Sequence, residues 1–264
     1  QKSLGAESAE TIELKVRFDR ERADAANLRR NQDQIIERQA AINRVLGLGR
    51  VPTLAARILR LLDKRGLLGR GIRVVGTNAL YGYEAACGVL IDPGLTTTED
   101  IDLLLDTRKR LHLLGDPELP DDSLLQLLKQ ADRSFAKTRQ SFRARNDDGY
   151  LVDLIRPLPT PPWRAGSGRI SRSDDLEAAE IEGLAWLENS PSFEQVAIDE
   201  RGYPLRIVAA DPRVFAVHKH WVSLQQSRDP LKKVRDRAQA RTIATLVRLY
   251  LPHLPFSPQE LRMI

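Results

Sequence analysis

The sequence predicts an α+β fold: a small mixed sheet with helices packed on it, plus helical regions at the N-terminal and C-terminal ends. Three observations lead there. Residues 6–46 contain neither Gly nor Pro and are dense in Ala, Arg, Glu and Gln, a composition suited to one long helix. The middle of the chain alternates short β-branched or apolar runs, at 72–75, 100–105 and 150–155, with helix-compatible stretches. From 212 to 250 the pattern returns to helix. The chain has 264 residues, enough for one sizeable core with a helical appendage. We therefore expect an arm at 1–52, a core at 53–210 and a C-terminal helical region at 211–264.

The elements follow in order. In the arm, Ile12, Val16, Ala23, Ala26, Ile35, Ile36, Ile42 and Val45 form only a thin apolar stripe, so the arm is expected to pack along another element; the alternatives are a solvated helical extension or linker helix and, behind it, a nucleic-acid-binding arm. Pro52 and Thr53 open a second helix, with Leu54, Ile58, Leu61 and Leu62 at helical spacing, which Gly66 and Gly69 end. The strand at 72–75 stops at Gly76, Thr77 and Asn78; a helix is expected over 79–90, closed by Asp92, Pro93 and Gly94. Residues 124–142 read as a further helix with a basic end at Lys137, Arg139, Arg143 and Arg145, followed by a turn at 146–149. Segments 157–162 and 166–168 read as loop, and 193–198 with 205–208 as a hairpin.

Charged residues make up 29% and hydrophobic residues 42%, a balance that excludes a disordered chain, and no apolar run approaches the roughly 20 residues of a membrane helix. The single cysteine, Cys87, cannot form an internal disulfide, and a reducing cytoplasm fits. The formal charge of +5 permits an anionic partner such as a nucleotide or RNA without requiring one. The chain begins with Gln1 and its one methionine is Met263, so we expect further residues before Gln1.

The chemistry sits in three acids. Side chains two apart on a strand share a face, so Asp100 and Asp102 project together. Carboxylates that close repel one another unless a cation lies between them, and hard oxygen ligands suit Mg²⁺ or Mn²⁺. Asp153 stands alone in an apolar strand and needs a partner. One arrangement satisfies all three: neighbouring strands, with the acids converging on two divalent ions as in phosphoryl or nucleotidyl transfer. A structural ion pair of Asp153 with Arg156 or another base is the alternative. Gly76 would let the backbone approach a polyphosphate, Thr77 offers a hydroxyl, and the following helix presents its amino-terminal amides.

The string Gly76-Thr77-Asn78, a helix, Asp100-Ile101-Asp102-Leu103 and then Asp153 resembles the polymerase beta-like nucleotidyltransferase pattern. Thr77 stands where serine is usual, and the spacer to Asp100 is longer than in the smallest members. Segment 75–84, Val-Gly-Thr-Asn-Ala-Leu-Tyr-Gly-Tyr-Glu, is similar to a bacterial nucleotidyltransferase-like subfamily, as is 211–240, which also resembles relatives that act as toxins of toxin and antitoxin pairs. The resemblance implies metal-dependent transfer of a nucleoside monophosphate from an NTP to an acceptor hydroxyl, with pyrophosphate released. It implies two Mg²⁺ or Mn²⁺ ions on Asp100, Asp102 and Asp153, and nucleotide contacts from Gly76, Thr77, Asn78, Lys219 and Lys232, with Arg228 and Lys233 assisting. The Val234-Arg235-Asp236-Arg237 string is a weaker match to a Lys-Asp pair of relatives. The acceptor would be tRNA or other RNA, a protein or a small molecule, and the toxin likeness would add an antitoxin or other protein partner.

Other readings compete. A non-catalytic nucleotide- or RNA-binding module would keep the fold without turnover, and a phosphohydrolase with an aspartate nucleophile would use the same acid pair. Lys219 also reads as a solvated helix charge. His218 and His220, two apart on a helix, do not form a metal pair. Trp163 beside Arg164 reads as a loop anchor or a stacking residue, and Arg108, Lys109 and Arg110 as a solvated surface or an RNA track.

Overall fold

The computed structural model describes residues 8–106, 123–159, 161, 168, 175–259 and 261. Trp163, Arg164, Gly166 and the basic run at 108–110 lie outside the described residues. The fold is α+β, with one mixed sheet and helices on both of its faces. Among the described residues no helix is long and apolar enough to cross a membrane.

The arm is a single helix, α1 (Ala9–Val45), started by a capping box between Ser8 and Thr11. It does not pack along another element as its stripe suggests. Only Ala40 and Asn43 are buried, and Ile12, Val16, Phe18, Leu28 and Ile35 are exposed. The docked end is held by polar contacts: Asn43 donates to the Gly202 carbonyl at 2.8 Å, and the Tyr203 hydroxyl donates to Glu37. The apolar residues of this helix are too scattered for a continuous buried stripe, so hydrogen bonds at one end do the anchoring.

Helix α2 (Thr53–Lys64) buries Ala55, Ala56, Ile58, Leu59 and Leu62. The sheet begins with β1 (Ile72–Val75), all four residues buried, which runs into a 3-10 turn over Gly76–Ala79. The helix expected over 79–90 is shorter: α3 (Leu80–Cys87) ends because Gly88 takes a left-handed φ of 63°. Asp92, Pro93 and Gly94 do not only terminate it. They start a short helix, α4 (Pro93–Thr96), with Asp92 capping the Gly94 amide. Next come β2 (Asp100–Leu105) and α5 (Leu124–Ala131).

The helix expected over 124–142 stops at Ala131. Asp132 accepts hydrogen bonds from both the amide and the hydroxyl of Ser134, a local turn that competes with the helical ladder. The chain then makes two short strands, β3 (Ala136–Lys137) and β4 (Arg143–Arg145), before β5 (Leu151–Pro157). After β6 (Ala179–Ile181) and α6 (Leu184–Asn189), β7 (Ser192–Ile198) and β8 (Pro204–Ala210) form the expected hairpin. The helical run at 212–250 is two helices, α7 (Pro212–Leu224) and α8 (Pro230–Tyr250). Each starts on the same device as α4, an Asp whose carboxylate caps an amide and a Pro at the first helical position, from Asp211 and Asp229.

The strand order is β3-β4-β5-β2-β1-β8-β7, with β6 also on β5. Period-two alternation separates the two faces. Ile72, Val74, Ile101, Leu103, Val152 and Leu154 pack on α2 and α5. Val75, Leu104 and Ile155 pack on Leu184 and Leu187 of α6 and Val214 of α7. A third cluster joins α3, α7 and α8 through Leu80, Tyr83, Phe215, Ile243 and Val247.

Candidate active site

The three acids meet on the face that carries Leu104 and Ile155. Strands β2 and β5 run parallel, with Asp102 opposite Asp153 and Asp100 opposite Leu151. Neighbouring strands are about 4.8 Å apart, so the register alone puts Asp102 and Asp153 side by side, and Asp100 follows two residues along. The electrostatics register this crowding. Burial, then the charges of Asp100 and Asp153, push the Asp102 carboxyl up to about 7, although Lys219 and Arg228 pull the other way. The Thr98 hydroxyl donates to the Asp100 carboxylate.

Asp153 has a partner, and it is not Arg156, which pairs with Glu180. Arg143 lies opposite Asp153 on β4 and grips it with two parallel bonds, Nε to Oδ1 and Nη2 to Oδ2, each 2.6 Å. Asp153 is buried, at 7% exposure, so the bidentate fork supplies the charge compensation that its position demands. That contact, with Coulomb attraction from Asp153 and the other two acids, holds the Arg143 guanidinium above its ordinary range.

The donor set partly fits a divalent cation. Asp100 and Asp102 offer hard oxygens on one face, and the raised Asp102 carboxyl marks negative charge that a cation would relieve. Asp153 faces the same way with its oxygens in the Arg143 fork. Among the described residues no three His, Cys, Asp or Glu side chains close into a ready ligand group.

The glycine turn abuts this cluster because Val75 pairs with Asp102 across β1 and β2. Gly76 has a φ of +64°, and a β-carbon there would run into the Asp102 carboxylate. Only glycine therefore satisfies both the backbone and the neighbouring acid. Thr77 Oγ accepts from Gln239 Nε2 at 3.3 Å, which leaves its own hydrogen free to donate. Asn78 turns inward: it is buried, and its Nδ2 donates to the Asp100 carbonyl at 2.7 Å, tying the turn to the acid strand.

Lys219 is not a solvated helix charge. It is buried and bonds Asp236 at 2.8 Å, while Arg228 bonds the other oxygen of Asp236 at 2.7 Å. Burial opposes ionisation of Asp236, but Lys219 and Arg228 outweigh it and hold the carboxyl below its usual range. Both cations act on Asp102 as well, so the α7–α8 pair presents positive charge to the acids. Lys232 is exposed in the first turn of α8, and Lys233 half-buried beside it. His218 is buried and His220 exposed, which separates the two histidines as their spacing requires.

Sequence reasoning missed Arg143 as the partner of Asp153 and Gln239 as the brace on Thr77. The first had a signal: an Asn-Asp-Asp-Gly turn at 146–149 lies midway between residues 143 and 153, as in a hairpin that sets them opposite each other. Gln239 had none, because nothing in a helix interior marks one glutamine from another.

No curated protein and no solved structure matches the chain. Residues 53–262 match the Nucleotidyltransferase family, a span that starts with the first residue of α2 and takes in the glycine turn, both acid strands, α7 and α8. Matched over most of its length, the chain belongs to the Nucleotidyltransferase family.

Proposed function

We propose that the protein transfers a nucleoside monophosphate from an NTP to an acceptor hydroxyl and releases pyrophosphate, with divalent cations held by Asp100, Asp102 and Asp153. Family membership supports nucleotidyl transfer in general. The observation that carries the finer reading is the register of β2 on β5, which sets Asp102 against Asp153 beside a turn that tolerates only glycine. Bound cations would neutralise the phosphates and the attacking and leaving oxygens.

The chain's own groups divide the remaining work. Gly76 and Thr77 receive the β and γ phosphates, with the free Thr77 hydroxyl hydrogen as a donor. Lys219 and Arg228, braced on Asp236, offset charge on the departing pyrophosphate. The acceptor oxygen bonds to the α phosphorus as the α–β bridge breaks, and its proton passes to Asp153. Arg143 must loosen its hold on Asp153 before that carboxylate accepts the proton.

Incubation with each α-³²P-labelled NTP, Mg²⁺ and a cell extract tests the proposal. Label should enter one class of molecule, RNA, protein or small metabolite, and thereby identify the acceptor. Transfer that persists in an Asp100→Ala, Asp102→Ala double variant refutes the site. The Arg143 fork on Asp153 favours a second reading, a binding module without turnover; metal-dependent NTP binding with no labelled product supports it.

A further inference from the structure

Beyond the acids, the same face of the sheet carries an aromatic cluster that the phosphate chemistry does not use. Trp186 of α6 packs against the group containing Val75, Leu104 and Ile155. Val214 of α7 belongs to that group, and His218 and Trp221 follow it at four and seven residues, on the same side of the helix. Trp186 and Trp221 meet at 5.2 Å and 61°, Trp186 and His218 at 6.2 Å and 87°, and His218 and Trp221 at 6.0 Å. His218 is next in the chain to Lys219, whose charge reaches Asp102.

Two features separate this cluster from ordinary core packing. His218 is 8% exposed, yet its buried Nε2 has no hydrogen-bond partner among the described residues, a defect costly enough that native structures rarely leave it. Both tryptophans are only half-buried, not sealed into the core. The site is also built: Gly183 caps α6 with a φ of +82°, and a β-carbon there would lie 2.5 Å from the Trp221 ring. A side chain at 183 would displace the indole. Burial, then the neighbouring Lys219, lower the His218 imidazole to about 4, so it is neutral at physiological pH.

We propose that Trp186, His218 and Trp221 form the nucleobase subsite, where the base of the bound NTP stacks on an indole and its edge pairs with His218 Nε2. This rests on the nucleotidyl-transfer reading and extends it from the phosphates to the base. A flat heteroaromatic with hydrogen-bonding edges is the ligand chemistry that half-buried indoles beside this imidazole nitrogen would recognise.

The test compares binding of Mg²⁺–NTP with Mg²⁺–tripolyphosphate, which has the phosphates and no base, by competition calorimetry. In the unmodified protein the NTP should bind more tightly and quench tryptophan fluorescence, whereas tripolyphosphate should bind without quenching. Trp221→Leu and Gly183→Ala should each weaken NTP binding about tenfold or more and leave tripolyphosphate binding within about twofold. The quenching readout uses the unaltered chain, so it stands even if a variant misfolds. Equal affinity for NTP and tripolyphosphate, with no quenching, overturns the base subsite while leaving the phosphate site intact. Quenching by a short single-stranded RNA but not by NTP overturns the assignment to the NTP and gives the platform to the acceptor. Binding of neither NTP nor tripolyphosphate overturns both readings.

Discussion

Replacing Asp102 with Asn should stabilise the protein, and the gain should depend on pH. The carboxyl moves from 3.8 to about 7 on folding because it is buried among Asp100 and Asp153. At 1.36 kcal/mol per unit the shift corresponds to about 4 kcal/mol. The side chain keeps some contact with water, which reduces the expected effect to about 2 kcal/mol. The sign follows from linkage. A folded carboxyl that titrates above its unfolded value contributes stability below about pH 4 that is lost as the pH rises through about 7. Asn carries no such loss, so urea unfolding should show the variant near wild type at pH 4 and ~2 kcal/mol more stable at pH 8. Mg²⁺ should stabilise the wild type at pH 8 and do much less for the variant. A difference that is flat across pH, or a variant destabilised at pH 8, refutes the claim that like charges crowd Asp102.

Arg143→Ala removes the fork from a buried carboxylate. It should cost about 2 kcal/mol in urea unfolding, less than the roughly 3–5 kcal/mol of a fully buried pair because Arg143 is partly exposed, and Mg²⁺ should recover more stability in this variant than in wild type. Gly76→Ala forces a positive φ and meets the Asp102 carboxylate, so thermal unfolding should show a loss exceeding about 1–2 kcal/mol and label transfer should disappear. Removing residues 1–36 should leave the unfolding midpoint of the rest unchanged, since among the described residues Glu37, Asn43 and Arg44 make the polar contacts between α1 and the remainder; limited proteolysis of the intact chain should cut before residue 37.

The fold was legible where one physical rule dominates. Strands β1 and β2 are marked by β-branched and apolar residues and by turn residues at their ends, and the structure places them at 72–75 and 100–105 as expected. Residues 124–142 contain neither Gly nor Pro, so nothing in their pattern competes with a helix; the stop is made by one side chain, Asp132, closing on Ser134. Strands β3 and β4 are two and three residues long and bear Lys and Arg, too short for alternation to show. At the candidate site, the pairing of Asp100 with Asp102 follows from spacing, and the approach of Asp153 from the need to compensate an acid in an apolar strand. The partners were not legible. Asp236 lies 17 residues from Lys219 across the α7–α8 turn, and that turn was hidden because the Asp229-Pro230 start falls inside a run that already reads as helix. The arm is the solvated helical extension rather than a helix packed along another element, because amphipathicity that weak does not specify a buried face.

Electron paramagnetic resonance of Mn²⁺ in the presence of a non-hydrolysable NTP tests the central claim most directly. Mn²⁺ should bind stoichiometrically to the wild-type protein with its nucleotide, and Asp100→Asn with Asp102→Asn should abolish the bound signal while the protein stays folded. Undiminished Mn²⁺ binding in that double variant would contradict the account.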